Sequence, residues 1–305
     1  MTSKRGPILV FGATGQQGGS VTAALLKAGW RTRALVRDPT SPKCADLREA
    51  GVEIVKGSFD DPESLRDSMA GAHGVFSVQP SSGQGVLYGV TDDDEVRYGS
   101  IVADCAVEAG VSHLVYSSAS AVGDQPVGVG YYDSKARIES YVRSLPISAT
   151  IVRPVVFMDM LVRPGSGLDS GHYVSFAEPD QPIQVIAVAD IGKFVAAIFS
   201  DHRRFDGATL EIASDMFAAR DIALFFTEAA GRTFTYSRFP DQILAANPFL
   251  ARMAALMNGG PLSGYADMAA MRTINPDIQS FRSWLAADGR AAFQRAIGAG
   301  PAEAG

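Results

Sequence analysis

The chain has 305 residues, 47% of them apolar and 20% charged, with a formal net charge of −6. That is an ordinary soluble composition with ample core, enough for one large α/β domain or a principal domain plus a smaller lobe. The acidic balance excludes a broad basic footprint for nucleic acid, and no stretch approaches the roughly twenty apolar residues of a membrane span. The apolar stretch after Met1-Thr2-Ser3-Lys4-Arg5 ends at Gly12, too short for a secretory signal. With Cys44 and Cys105 far apart, a reducing cytoplasm is the expected setting and Cys105 reads as a buried, inert thiol.

The first element is the apolar run Ile8-Leu9-Val10-Phe11, which breaks into Gly12, Gly15 and Gly18 before Val21, Leu25 and Leu26 begin an amphipathic helix. A strand, a tight turn and a helix start in that order form the phosphate-binding turn of a dinucleotide fold. Gly12 turns the chain off the strand, Gly15 lets a pyrophosphate touch backbone, and Gly18 lets the helix press on the sheet. Thr14, Gln16 and Gln17 complete the cradle, whose N–H groups and helix dipole favour an anion.

Residues 31–37 read as the second strand, 45–50 as a short helix ended by Gly51, and 52–57 as the third strand. Asp61-Pro62 opens a helix closed by Gly71, and residues 74–78 are the fourth strand. After a glycine-rich loop from Gln79 to Thr91, Asp92, Asp93, Asp94 and Glu95 place negative charge at a helix N-terminus. Residues 112–118 are the fifth strand, 135–144 a helix and 149–156 the sixth strand. This alternation predicts an α/β fold with a doubly wound parallel sheet. Residues 1–157 are expected to be the dinucleotide-binding domain and 158–297 a smaller α/β substrate lobe over the carboxyl ends of the strands, with some later segments free to rejoin the sheet. In that lobe 182–188, 208–213 and 233–239 are strand-like, Asp190 caps a helix, residues 220–230 form another, and Asn247-Pro248 opens a third. The tail at 298–305 is expected to fray.

An NAD-binding unit usually places an acid at the end of its second strand, about twenty residues past the glycine turn. Here Arg37 stands there, and a guanidinium can grip a 2′-phosphate in bidentate fashion. NADP(H) is therefore the expected cofactor, with Lys43 a further contact if its loop folds back. The competing reading leaves Arg37 solvated and gives the ribose to Asp38.

The G-x-x-G-x-x-G spacing resembles that of extended and atypical short-chain dehydrogenase/reductases, and Phe11-Gly12-Ala13-Thr14-Gly15-Gln16-Gln17-Gly18-Gly19-Ser20 is similar to their NmrA-like branch. The likeness continues through Leu35-Val36-Arg37-Asp38-Pro39, Val115-Tyr116-Ser117-Ser118, Ser134 to Tyr141, Val152 to Met158 and Pro182 to Gly192. It implies a Rossmann fold and one of two activities. The first is an NADPH-dependent reductase passing hydride to a carbonyl, quinone or conjugated acceptor, a small and mostly apolar or aromatic molecule. The second is a non-catalytic NADP(H) sensor whose loops from Gln79 to Thr91 and from Asn258 to Gly264 act on a regulatory protein partner. A second copy of the chain is also left open as a partner; direct contact with nucleic acid or membrane is not expected.

The resemblance implies that Lys135 binds the nicotinamide ribose and lowers the phenol pKa of Tyr131, which lies four residues earlier on the same helix face and donates the proton. Ser118 then hydrogen-bonds the substrate oxygen, with Ser117 an equal candidate. The interval from Ser118 to Tyr131 is short for the family, and Val127-Gly128-Val129-Gly130 could put the tyrosine at a mobile helix start. Ser58 stands where many relatives have an Asp for adenine, with Phe59 beside it. Gln79 and Pro80 are expected to line the cofactor channel, and Pro154, Val155 and Val156 to back the nicotinamide. His73, His113, His172 and His202 lack zinc-ligand spacing and most of them read as surface or loop residues, and no G-x-S-x-G elbow is present. Phe225, Phe226, Phe249, Leu250 and Met253 are either core or the wall of an apolar pocket.

Overall fold

A computed structural model describes residues 5–85, 89–123, 125–163 and 166–298. The strands are β1 (Ile8–Val10), β2 (Thr32–Val36), β3 (Glu53–Lys56), β4 (Gly74–Ser77), β5 (His113–Ser117), β6 (Ala149–Pro154), β7 (Val156–Phe157), β8 (His172–Ser175), β9 (Pro182–Ile186), β10 (Thr209–Ile212), β11 (Asp215–Ala218) and β12 (Thr235–Arg238). The first helices are α1 (Gln16–Lys27), α2 (Pro42–Glu49), α3 (Pro62–Met69), α4 (Asp92–Glu108) and α5 (Gly130–Ser144). They are followed by α6 (Met158–Leu161), α7 (Val188–Ser200), α8 (His202–Phe205), α9 (Asp221–Ala230), α10 (Asp241–Ala246), α11 (Pro248–Met257), α12 (Met268–Ile274), α13 (Phe281–Ala286) and α14 (Arg290–Gly298).

A seven-stranded sheet runs in the order β3-β2-β1-β4-β5-β6-β10, and its pairings from β3 through β6 are parallel. The order reverses between β1 and β4, so the loops leaving those strands diverge and open a crevice at their carboxyl ends. This is the doubly wound α/β fold expected from the alternation. Helix starts follow local chemistry: the Asp61 side chain accepts from Ser64 N at α3, Thr91 and Asp94 form a reciprocal capping box at α4, and Asn247 accepts from Phe249 N and Leu250 N at α11.

The chain divides into two compact units, Met1–Arg153 with Ile191–Leu210, and Pro154–Asp190 with Glu211–Gly305. The first unit's core joins one face of β1, β4 and β5 to α3, α4 and α5 through Leu9, Phe11, Leu65, Val75, Val102, Leu114, Tyr116 and Ile138. Cys105 is buried here, and desolvation pushes its thiol up, as an inert thiol requires. The helix carrying Phe194, Val195 and Ile198 begins at Val188, so Asp190 lies inside its first turn instead of at the N-cap. Asp190 is fully buried in the second unit, where it accepts from Ser214 Oγ (2.7 Å) and Gln279 N (2.8 Å).

Three histidines scattered in sequence meet within the first unit. The His73 ring lies 5.9 Å from His202, and His202 lies 5.5 Å from a fully buried His113. His113 is satisfied by the hydroxyls of Ser148 and Thr150, each at 2.8 Å. No helix among the described residues is long and apolar enough to cross a membrane.

In the second unit β9 pairs parallel with β7 and antiparallel with β11, while β8 pairs with β12. The core there is aromatic: Phe226 stacks on Phe293 at 5.1 Å and meets Phe234 and Phe281 within 6 Å. Phe226 is buried, Phe225 packs against the same core, and Phe249 is 52% exposed on α11. Phe226→Ala should therefore cost about 3–5 kcal/mol of stability in chemical denaturation. Phe249→Ala should cost less than about 0.5 kcal/mol; equal losses would contradict this packing.

Candidate functional site: the glycine turn and the Lys135 face

The turn after β1 has the geometry that its glycines require. Gly12 takes φ +66°, a left-handed conformation, and sends the chain off the buried strand. A Cβ on Gly18 would sit 2.3 Å from the Gly12 carbonyl and 2.5 Å from that of Phe11, so only glycine lets α1 lie this close to the strand end. Gly15 is the N-cap of α1, and no side chain caps this helix. The first-turn N–H groups thus lack an intrahelical or side-chain acceptor, which is what an anion at a helix N-terminus uses.

Neighbouring residues close around the turn. Lys43 on α2 folds back and donates to Thr14 O at 3.0 Å, and Arg37, after the end of β2, is exposed. Asp38 is turned to Thr40, accepting from its backbone N at 2.9 Å and its hydroxyl at 2.6 Å; these bonds hold its carboxyl below the usual range. Gln17 accepts from Ser117 Oγ at 2.7 Å, tying the glycine turn to the end of β5, while Gln16 is exposed.

Ser58 Oγ accepts from Asp60 N at 3.2 Å in a local turn, and Phe59 lies between Phe11 and Tyr98 at 5.4 and 5.1 Å. Both groups expected to meet adenine are thus also used in packing the turn after β3. Gln79 is buried after β4 and donates to Ser77 Oγ at 2.7 Å, with Pro80 half-buried beside it. The sixth strand, expected to run to Val156, ends at Pro154, which has no N–H to continue the ladder. Val155 N donates to Ile212 O at 3.2 Å, and Val156 already belongs to β7, paired with β9.

The helix expected from Lys135 begins five residues earlier, at Gly130, and its start is fastened. Asp133 accepts from Val127 N at 2.7 Å and Gly128 N at 3.1 Å. Tyr131 therefore lies in the first turn of α5, its ring close over Gly83 and 4.5 Å from the Tyr132 ring. The expectation of a lowered phenol pKa is corrected: burial pushes Tyr131 up, and the Tyr132 hydrogen bond offsets this only in part. The Lys135 ammonium is engaged instead by the Glu95 carboxylate.

Glu95 is fully buried on α4, with its second oxygen accepting from Ser134 Oγ at 2.8 Å. The acidic run expected to sit against the helix dipole fills the first turn of α4 with Asp92, Asp93, Asp94 and Glu95, and of these Glu95 is the fully buried one. It shares the buried face with Gly99, Val102 and Ala106, and that spacing is the signal in the sequence that could have found it. A second buried carboxylate, Glu139, takes a bidentate Arg153 at 2.9 and 2.7 Å and Arg143 at 2.6 Å. Burial alone would raise its pKa; the Arg153 pair, Ser118 and Arg143 outweigh that and hold it low.

Ser117 and Ser118 serve different sides. Ser117 is held by Gln17, whereas Ser118 Oγ is buried near Glu139 without a hydrogen bond of good geometry. Tyr116 Oη is likewise buried without a partner, and desolvation with the charges of Glu95 and Glu139 pushes its pKa well up.

A family model described as the NmrA-like family matches residues 4–278. The chain belongs to the NmrA-like family. An NmrA-like family domain-containing protein of Dictyostelium discoideum is 27% identical over 247 residues, covering 75% of this chain and 79% of the relative. The NmrA-like family domain-containing oxidoreductase lnaB of Aspergillus flavus is 29% identical over 252 residues, 76% of this chain and 75% of its own. Among solved structures, NmrA, a negative transcriptional regulator, in complex with NADP has a TM-score of 0.76 at 19% identity, with 95% of this chain and 97% of that one covered. The NADPH-dependent quinone oxidoreductase QOR2 of Escherichia coli, complexed with NADPH, has a TM-score of 0.74 at 21% identity, with 92% and 98% covered. At such identities the likeness is one of fold.

Glu139 gives a pH signature for this NmrA-like site. Because its folded pKa lies below the ordinary 4.5, its stabilisation is fully present above pH 4.5 and is lost as pH falls through the folded value. Glu139→Gln should be less stable than the unaltered protein at pH 7, and the gap between their melting temperatures should narrow below pH 4.5. A gap independent of pH would remove the ion pair as its cause.

Proposed function

We propose that this chain is an NADPH-dependent reductase that passes hydride to a carbonyl, quinone or conjugated small-molecule acceptor. The observation that carries the reading is the uncapped start of α1 pressed against the end of β1 through Gly12 and Gly18 at the sheet's reversal point. The curated relatives named as oxidoreductases and the solved structures holding NADP(H) support it.

When bound, the nicotinamide supplies the hydride. The protein's own residues would do the rest. Backbone N–H groups from Gln16 to Gly18 take the pyrophosphate, Arg37 grips the 2′-phosphate with Lys43 as a further contact, and Lys135 takes the nicotinamide ribose hydroxyls. Tyr131, kept protonated by burial, gives its proton to the acceptor oxygen, and Ser118 Oγ orients that oxygen.

The raised Tyr131 phenol is the one observation that favours a second reading, an NADP(H) sensor without turnover, because a weaker acid gives its proton less readily. NADPH absorbance decay across a panel of quinones, aldehydes and enones separates the two. Decay with an acceptor is expected; tight NADP(H) binding with no decay on any of them would establish the sensor. Lys135→Ala should abolish that decay while circular dichroism stays unchanged. Arg37→Ala should weaken NADPH binding by roughly ten- to a hundredfold, with NADH binding little altered, in fluorescence titration. An unchanged preference would return the ribose to Asp38.

A further inference from the structure

We propose that Glu95 is the positioning residue of the site: it holds the Lys135 ammonium in place for the cofactor ribose. The inference rests on the role given to Lys135 above. A fully buried carboxylate is costly unless both its oxygens are satisfied. Glu95 meets that condition through two consecutive residues of α5, Ser134 on one oxygen and Lys135 on the other. The serine hydroxyl fixes the carboxylate plane, and the fixed carboxylate in turn fixes the end of a long flexible side chain.

Lys135 is 16% exposed where its partner is 1% exposed. An ammonium carries three donors, so the bond to Glu95 leaves donor capacity for ribose hydroxyls on the open side. Lysine is a side chain with many rotamers, and a carboxylate that removes that freedom beforehand lowers the cost of binding.

Other cations on these helices are placed differently. Arg137 pairs with an 86% exposed Asp93, an arrangement worth little. Arg143 and Arg153 are taken by Glu139, the other buried carboxylate on this face, so they do not compete for Glu95. The buried Tyr116 hydroxyl on β5 also feels the Glu95 charge.

If Glu95 acts through Lys135, its effect must vanish when the ammonium is gone. NADPH affinity is measured by fluorescence titration for Glu95→Gln, Glu95→Asp and Ser134→Ala, each alone and with Lys135→Met. Glu95→Gln should weaken NADPH roughly tenfold beside Lys135 and not at all beside Met, with Glu95→Asp recovering part of the loss. Ser134→Ala, which keeps the charge pair, should cost roughly threefold beside Lys135 and nothing beside Met; it decides the matter if Glu95→Gln does not fold. Equal weakening in both backgrounds, or none in either, overturns the proposal. If the unaltered chain does not bind NADPH, or Lys135→Met leaves affinity intact, the role of Lys135 itself falls first.

Discussion

The close approach of α1 to the end of β1 is the constraint on which the site depends. Two backbone segments meet where Gly18 faces the carbonyls of Phe11 and Gly12, at a separation that admits no side chain. Hydrogen-bonded strand and helix cannot otherwise join through so short a turn. The same contact aims the helix N-terminus along the carboxyl ends of β1 and β4, where the sheet order reverses. Gln17, carried on the first turn of this helix, then reaches Ser117 at the end of β5, so a hydrogen bond ties the turn to the middle of the sheet.

The face presented by α4, α5 and β5 follows a different rule. It buries two carboxylates, Glu95 and Glu139, in a layer otherwise made of Val102, Ala106, Ile138 and Val142. Apolar residues there would be as stable or more so, since desolvating ions offsets most of their attraction. What the carboxylates contribute is placement. Each ties a specific cation, Lys135 or Arg153, to one location at the edge of the core. The buried hydroxyls of Tyr116 and Ser118 lie in the same layer.

The cation at Lys135 cannot serve two masters equally. Its ammonium is held by Glu95. Tyr131 is governed by burial and by Tyr132. In this protein the lysine and the tyrosine share a helix face but not an electrostatic partnership of the kind inferred from their spacing alone.

Much of this was legible in the amino-acid sequence, because it depends on neighbours close along the chain. Strand and helix alternation, the jobs of Gly12 and Gly18, the caps at Asp61 and Asn247, and the family likeness all reside in local periodicity and turn chemistry. Only the tertiary structure decided the rest. Glu95 lies forty residues from Lys135 and is masked by three acidic neighbours, so its pairing needed the packing of α4 on α5. Pro154 ends β6, but nothing local says that Val156 goes on to pair with β9. Three histidines that are scattered in sequence meet because β4, β5 and α8 bring them to one place. Residues 191–210 belong with the first unit because α7 crosses α1 at Gly192 and Ser20, a contact at backbone distance between residues 172 apart. Local chemistry sets what each segment becomes; which buried charge meets which cation is set by packing between segments remote in the chain.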